Sequence, residues 1–248
     1  MRIISALIVC FAFGIAAAQD SGTEDKIRAA MESDVRTEAE VARDRNRKPV
    51  ETLGFFGLRD DMRVIELLPG GGWYTKLLAP VLRDRGKLYV SIGTGNVQRN
   101  LLDQPGFDRV DVLDIGTELV DTEPYGLSDV APFSFGVDDI DLVVTFRNMH
   151  SFTEMGRLNM NVAVFEALKS GGLYGVIDHN RRHMEPITRE NRRRTDVVQI
   201  IKEAQQAGFE LVDWSDLHYR PDDELRYEVG RRTVTGNTDR YTLLFRKP

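Results

Sequence analysis

The chain has 248 residues, which is enough for one large domain with a substantial buried core. Hydrophobic residues make up 42% and charged residues 29%, an ordinary globular composition that excludes a largely disordered chain. The formal net charge of −6 argues against a general nucleic-acid-binding protein, because such proteins depend on a basic surface.

The first twenty residues differ from the rest of the chain. Arg2 supplies a positive charge, residues 3–12 are almost purely apolar, and Ala16-Ala17-Ala18 precede Gln19. This layout predicts a signal peptide over residues 1–18 and export to the periplasm or the medium. An uncleaved anchor is the alternative, but spanning a bilayer takes about 20 apolar residues. After cleavage we expect no stable membrane insertion.

Cys10 is the only cysteine and lies inside the apolar run. Val9 stands where a lipoprotein has a small residue, which argues against lipid attachment. The mature chain therefore has no cysteine for a disulfide, a thiol nucleophile or a thiolate metal ligand.

Residues 19–34 are polar and charged, and we predict that they form a flexible lead-in to a single domain over residues 35–248. Over residues 35–47 apolar positions are sparse among charged ones, so we predict a helix that is at best weakly amphipathic. A short helix over residues 51–58, ending at glycine, follows Pro49.

Apolar runs then alternate with helical patterns. The predicted strands span residues 63–68, 87–92, 109–115, 140–146 and 173–178, and the predicted helices span residues 73–82, 152–169 and 196–207. Near-continuous apolar strands separated by helices indicate a parallel sheet that is covered on both faces.

The last two predicted strands, residues 209–214 and 241–246, have no convincing amphipathic helix between them. Parallel neighbours need a crossover connection, which is usually a helix, so this pair is predicted to be antiparallel. An antiparallel end differs from the wholly parallel halves of the dinucleotide-binding dehydrogenases.

A glycine-rich turn joins the first strand to the first helix of this series. Glu66 ends the strand, and Pro69-Gly70-Gly71-Gly72 come before Trp73. Glycines let the backbone approach a ligand closely, and a helix N-terminus adds free N–H groups and a positive dipole end. The pattern predicts a site for a nucleotide-type cofactor, although a tight turn also uses glycine for packing alone.

The segment Val64-Ile65-Glu66-Leu67-Leu68-Pro69-Gly70-Gly71-Gly72-Trp73-Tyr74-Thr75 resembles the first motif of class I S-adenosylmethionine-dependent methyltransferases. The chain is most similar to a group of predicted exported bacterial methyltransferases. Four other parts of the chain carry that resemblance: residues 43–53, Leu78-Ala79-Pro80, Thr145-Phe146-Arg147-Asn148-Met149-His150, and residues 238–248.

The resemblance implies an α/β, Rossmann-like class I methyltransferase fold, with a mostly parallel seven-stranded sheet, one antiparallel strand and helices on both faces. It implies S-adenosylmethionine as cofactor and methyl transfer to an unidentified small molecule or envelope component. The implied cofactor-binding residues are Glu66, Pro69, Gly70, Gly71, Gly72, Tyr74, Asn96 and Asp114. Among these, Gly70 and Gly72 would line the methionine part, Glu66 would orient its amino group, and Asp114 would lie near the adenine.

Two features depart from the general pattern. Leu68 stands where the motif has glycine, so close approach is lost there. The second strand also lacks the terminal acidic residue that holds the ribose hydroxyls. Asn96 or Ser91 would replace it with neutral hydrogen bonds, which are worth about half of charge-assisted ones. We therefore expect weaker cofactor binding or a different ligand.

Polar residues follow the fourth and fifth strands, where ligands bind in open parallel sheets. His150 and His179 are catalytic candidates by this argument, with Arg147, Asn148 and Asp178 beside them. The family resemblance adds Asn148 as a third candidate, because it implies that this residue faces the methyl group and the substrate. A histidine there acts as a general base, binds a metal together with Asp178, or only bonds the neighbouring loops. No metal site is assigned, because the chain has no compact metal-ligand motif.

The arginine runs 181–182, 192–194 and 231–232 are typical of solvated surface. The first run follows the fifth strand and is a weak candidate for contacting an anionic substrate. Substituting Gly72→Arg is expected to abolish cofactor binding and leave the fold mostly intact.

Two other functions stay open. One is a non-catalytic periplasmic protein that binds a small molecule and keeps the fold. The other is an NAD-dependent oxidoreductase, which the unspaced Gly70-Gly71-Gly72 cluster disfavours.

Overall fold

A computed structural model describes residues 21–248 of the chain. The predicted signal peptide, including Cys10, lies outside the described residues. The helices are α1 (Ser21–Met31), α2 (Glu38–Val41), α3 (Asp44–Arg47), α4 (Pro49–Phe55), α5 (Thr75–Leu82), α6 (Gly95–Asn100), α7 (Glu154–Ala167) and α8 (Val197–Gln206). Within residues 21–248, no helix is long and apolar enough to cross a bilayer.

The strands are β1 (Arg63–Leu67), β2 (Lys87–Ser91), β3 (Asp111–Leu113), β4 (Leu119–Thr122), β5 (Leu127–Val130), β6 (Ile140–Phe146), β7 (Leu168–Arg181), β8 (Thr195–Asp196), β9 (Glu210–Ser215) and β10 (Arg240–Arg246). Seven of them form the central sheet in the order β3-β2-β1-β6-β7-β10-β9, and β8 pairs with the end of β7. Strands β1, β2, β3, β6 and β7 pair in parallel, whereas β10 is antiparallel to both of its neighbours. The predicted fold class and the antiparallel end are confirmed.

Alternate residues of the central strands supply two separate cores. Val64 of β1 packs into one core with α1, α4 and α5, whereas Ile65 and Leu67 pack into the other with α7 and α8. Side chains that alternate between two covered faces explain the near-continuous apolar runs in the sequence.

Residues 21–31 are not a flexible lead-in, and that part of the prediction is wrong. They form α1, whose Ile27 and Ala30 are buried against the first core. Lys26 Nζ lies 2.7 Å from Asp60 Oδ2, and the buried Thr23 hydroxyl accepts a hydrogen bond from the Asp60 amide. The narrow apolar stripe of α1 is therefore enough to hold this helix against the first core, because the Lys26–Asp60 ion pair supports it.

The sequence analysis missed three smaller elements: helix α6, the β4–β5 hairpin between β3 and β6, and the short strand β8. Residues 35–47 also form two short helices, α2 and α3, rather than one. These pieces are too short for a periodic apolar pattern to build up.

A largely irregular segment, residues 216–239, is held against the carboxyl edge of the sheet by one buried ion pair. Arg194 donates to both carboxylate oxygens of Asp223, over 2.8 and 3.1 Å, and its guanidinium is fully buried. Asp223 also accepts from the backbone amides of Leu225 and Asp239. The pair therefore positions the segment between β9 and β10.

Substituting Asp223→Ala would leave the Arg194 guanidinium buried without a counter-charge. We expect a loss of about 3–5 kcal/mol of unfolding free energy, since breaking a buried pair from one side is costly. Denaturant unfolding of the variant measures this. The neighbouring exposed Asp222→Ala is the matched control and should change stability little; equal losses in both variants would contradict the assignment.

Candidate active site

The glycine turn after β1 contains a β-turn, in which the Gly72 amide donates to the Pro69 carbonyl over 2.9 Å. Leu68, Gly70 and Gly72 have positive φ angles of 50°, 58° and 82°. The Leu68 amide donates to the Ser91 carbonyl over 2.9 Å, which ties the turn to β2. A Cβ atom added at Gly70 or Gly71 would meet no atom within 4 Å, so this part of the turn faces open space.

Gly72 has a different role from the one expected. A Cβ atom there would lie 2.7 Å from Leu101 Cδ2 and 3.0 Å from Val97 Cγ1. Gly72 therefore lets α6 and the residues after it pack against the turn and does not line the cavity. The expectation that Gly72→Arg spares the fold is wrong, because the new side chain would enter this packed contact.

A cavity of about 150 Å³ lies beside the turn. Its wall comprises Arg47, Glu66, Leu68, Pro69, Gly70, Gly71, Trp73, Tyr74, Phe146, Arg147 and Asn148. It thus brings together most of the residues predicted for the methionine part of the cofactor, and their roles stay predictions.

Glu66 provides the negative charge of this cavity. Its carboxyl group is buried and accepts a hydrogen bond of 2.6 Å from the Thr75 hydroxyl. Burial raises the pKa of Glu66 to about 7, although the Thr75 hydrogen bond and the Arg47 charge oppose the shift. A cationic ligand group would favour the ionised carboxylate.

Arg47 provides a positive charge in the same cavity, and sequence reasoning missed it. Its guanidinium lies 4.2 Å from the centroid of the Trp73 ring, and its buried Nε has no hydrogen-bond partner. Burial, followed by the charge of Arg147, lowers the pKa of Arg47 to about 9. No carboxylate in residues 21–248 lies within 4.0 Å of it, so a ligand carboxylate fits this position.

Tyr74 forms the aromatic side of the cavity. Its ring stacks on Phe146 at a centroid distance of 3.5 Å and an angle of 10°. Burial raises the pKa of the Tyr74 phenol to about 12, so the group is neutral. Tyr74 is therefore a rigid apolar wall.

A second cavity, of about 380 Å³, lies beyond the ends of β2 and β3. Asp114 lines it and accepts a hydrogen bond from the Gly116 amide. Thr94 and Gln98, which the sequence analysis did not single out, line it too, and the Gln98 amide donates to the Thr94 hydroxyl over 2.7 Å. The neutral side chains of Thr94 and Gln98 thus lie just after β2, where the family pattern has an acidic residue that this chain lacks.

The two residues proposed to replace that acid are used otherwise. The Ser91 hydroxyl donates to the Leu113 carbonyl over 2.9 Å. Asn96 is exposed on α6, where its amide oxygen accepts from Arg99 over 3.2 Å. Neither lines the second cavity, and the cofactor-binding role of Asn96 stays a prediction.

A third cavity, of about 330 Å³, adjoins the first through Arg147, which lines both. His150 and His179 lie in its wall with Arg43, Arg193 and Arg240. The predicted histidines therefore do reach one cleft. The run 181–182 does not line it; Arg193 of the second arginine run does.

Asp178 fixes the orientation of His150. The buried carboxylate accepts from His150 Nδ1 over 2.7 Å and from the backbone amides of His150 and His179 over 2.8 and 2.7 Å. Nδ1 therefore carries the proton, and Nε2 is left as the basic nitrogen. The arrangement suits a general base.

His179 is different. Its Nδ1 is buried without a partner, and burial, followed by the charge of Arg240, lowers its pKa well below the ordinary value. His179 is thus a neutral residue. Among residues 21–248, no group of three or more His, Cys, Asp or Glu side chains is placed to hold a metal ion.

Asn148 supports the glycine turn. Its side-chain amide donates to the carbonyls of Leu67 and Leu68, over 3.2 and 3.4 Å, and to the Thr145 hydroxyl over 3.2 Å. It lines the first cavity, but these contacts make it a positioning residue for the end of β1.

No protein-family profile and no curated protein matches the chain in sequence. Solved structures match the fold. A SAM-dependent methyltransferase from Aquifex aeolicus is 14% identical, with a TM-score of 0.57 over 91% of this chain and 98% of its own. The glycopeptide N-methyltransferase MtfA is 14% identical, with a TM-score of 0.52 over 83% and 91%. The fold is the class I methyltransferase fold.

A structure with a different activity in its name has the same TM-score as MtfA. The cyclase SpnF is 16% identical, with a TM-score of 0.52 over 92% of this chain and 93% of its own. The methyltransferase fold thus places the cavities at the expected edge of the sheet, and the reaction has to be argued from the side chains.

The raised pKa of Glu66 predicts a pH-dependent stability. The unfolded carboxyl ionises near its ordinary pKa of 4.5 and the folded one near 7, so stability is lost as the pH rises between these values. At pH 8 the cost reaches about 3 kcal/mol. Substituting Glu66→Gln removes this cost, so the variant should gain stability over the wild type at pH 8 and much less at pH 5.

Chemical denaturation at the two pH values measures the difference. The exposed Glu118→Gln is the matched control and should show no such trend. A difference between E66Q and wild type that is the same at both pH values would contradict the buried, protonated carboxyl.

Proposed function

We propose that the chain is an exported S-adenosylmethionine-dependent methyltransferase that acts on a small molecule. The observation that carries this is the pairing of Glu66 and Arg47 in one cavity beside the glycine turn. Their opposite charges match the ammonium and the carboxylate of an amino-acid ligand. The fold and the exported group that the sequence resembles support the same conclusion.

The residues of the first two cavities would hold this cofactor. Glu66 would bind the ammonium, Arg47 the carboxylate, and the open backbone at Gly70 and Gly71 would allow close approach. The cavity at Asp114 would take the adenosine part. When bound, the cofactor supplies a methyl group on a positively charged sulfur.

His150 would remove the proton of the methyl acceptor. Asp178 holds its Nδ1, so the other ring nitrogen is free to take a proton from a hydroxyl or amine in the third cavity. Arg147 lines both this cavity and the one beside the glycine turn, and Asn148 lines the latter. Positioning of the two reactants would supply most of the rate.

Calorimetric titration of the mature protein with S-adenosylhomocysteine tests the cofactor site. We expect binding in the wild type and a loss of about tenfold or more in a Gly71→Leu variant, because the new side chain would occupy the cavity wall. The Asn96→Ala variant is the control and should bind as the wild type does. No binding at millimolar concentration would overturn the proposed function.

The same titration tests the Glu66 contact. A bound ammonium would lower the pKa of Glu66, so binding at pH 7 should release about half a proton. Repeating the titration in buffers of different ionisation enthalpy measures this release. It should vanish in the E66Q variant; release that persists there would come from another group.

Leu68 should limit cofactor affinity. Its side chain extends toward the Gly93 backbone, between the first and second cavities, and its backbone is in the left-handed region. Substituting Leu68→Gly should tighten S-adenosylhomocysteine binding, because it removes both the side chain and the conformational strain. Leu68→Ala removes only the side chain and should have the smaller effect. Weaker binding in both variants would show that Leu68 contacts the ligand.

A further inference from the structure

The third cavity contains far more positive than negative charge. Four arginines line it, and only Arg193 has a carboxylate partner, Glu228. Within residues 21–248, the guanidinium groups of Arg43, Arg147 and Arg240 have no carboxylate within 4.0 Å. Asp178 is the nearby acid, but its oxygens already accept from His150 and His179.

Two donor atoms in this wall also lack partners. Arg43 Nε and Arg240 Nε are both buried without a hydrogen bond. A buried donor without an acceptor costs stability, so such a group is rare unless a ligand completes it. The two arginine donors around one cavity indicate a missing acceptor rather than two separate packing faults.

The charges disfavour one another in the absence of a ligand. Burial, followed by the Arg147 charge, lowers the pKa of Arg240 to about 10, and burial together with Arg43 lowers that of Arg147. An anion in the cavity would reverse these effects, since it supplies the counter-charge and the acceptors together.

The cavity lies beside the cofactor position and beside the proposed base. Arg147 lines both the first and the third cavities, and His150 lies in the third. A volume of about 330 Å³ suits a small molecule. Its ligand would therefore be held where a methyl acceptor has to lie.

We propose that the third cavity binds the methyl acceptor through an oxyanion, a carboxylate or phosphate group held by Arg43, Arg147 and Arg240. The identification of the bound anion as the methyl acceptor rests on the proposed function. The anion site itself rests on the arginines alone. The acceptor is thus a small acidic molecule with a hydroxyl or amine that faces His150.

Inorganic phosphate and succinate are the two probes, titrated into the mature protein saturated with S-adenosylhomocysteine, at constant ionic strength set with chloride. We expect one of them to bind, and its preference over the other assigns the phosphate or the carboxylate. An Arg43→Gln variant should weaken that binding by about tenfold or more, because a charged hydrogen-bond donor is lost.

Arg45→Gln is the matched control, since Arg45 is exposed two residues away and makes the same change of charge. It should bind the probe as the wild type does. The thermal midpoint gives a second readout: R43Q without ligand should be as stable as the wild type or more stable, because it loses an unpaired charge. A purely structural Arg43 would instead lower the midpoint and leave probe binding unchanged.

The remaining outcomes each contradict one part of the proposal. Binding of S-adenosylhomocysteine without either anion overturns the oxyanion site and leaves the proposed function standing. Anion binding without S-adenosylhomocysteine overturns the cofactor site and the role as acceptor. Equal losses in R43Q and R45Q indicate general charge attraction and overturn the site. Should R43Q not fold, Arg147→Gln, at another of the three proposed arginines, replaces it.

Discussion

Positive charge buried at the carboxyl edge of the parallel sheet is the constraint on which the site depends. Moving a charged group out of water costs several kcal/mol, and the cost is recovered only with a good partner. Arg194 has that partner in Asp223, so its burial organises residues 216–239. Arg47 and Arg240 have none, and burial lowers the pKa of each, to about 9 and about 10. The aromatic face of Trp73 compensates Arg47 in part. The fold thus keeps destabilising, unpaired positive charge at the carboxyl edge of the sheet, and the Arg194–Asp223 ion pair beside it stabilises the surrounding segment.

Backbone strain collects at the same edge. Leu68, Ile92 and Arg147 directly follow β1, β2 and β6, three neighbouring strands, and all have positive φ angles between 50° and 64°. The left-handed region costs a residue with a Cβ atom about 1–2 kcal/mol, and Ile92 is β-branched, which makes it a true outlier. Such residues persist only where the surroundings fix them, as at binding sites. Here backbone hydrogen bonds to the adjacent strands do so: the Leu68 amide donates to Ser91 and the Arg147 amide to Ile177.

The fold can be predicted from the sequence because the sheet is buried on both faces, which gives its strands near-continuous apolar runs. Ile65 and Val64 face opposite cores, so β1 has apolar residues on both faces. The absence of a predicted helix between the last two strands indicates their antiparallel pairing. The site is only partly predictable. Residues that follow a strand, such as His150 and Asp114, reach the edge by topology alone. Arg47 and Arg240 reach it from α3 and β10, far away in the chain, and no local pattern connects them. Gly72 illustrates the opposite difficulty, a residue assigned to the cofactor that packs against Val97 and Leu101 instead. A glycine needed for packing looks the same in the sequence as one that lines a ligand site.

The distribution of charge would also couple the binding of the two proposed ligands, the cofactor in the first cavity and the acidic acceptor in the third. If the proposed function holds, the cofactor would bring a positively charged sulfur to the cavities that Arg147 borders, and Arg147 is buried and already repelled by Arg43. Like charges in neighbouring cavities repel one another, even at the effective dielectric constant of about 20 typical of protein sites. An oxyanion in the third cavity would lower this repulsion, and the favourable effect would be reciprocal, so each ligand would strengthen binding of the other. The demethylated product has a neutral sulfur and loses that advantage. The arginines would then both select an acidic acceptor and favour the complex in which acceptor and methyl donor are bound together.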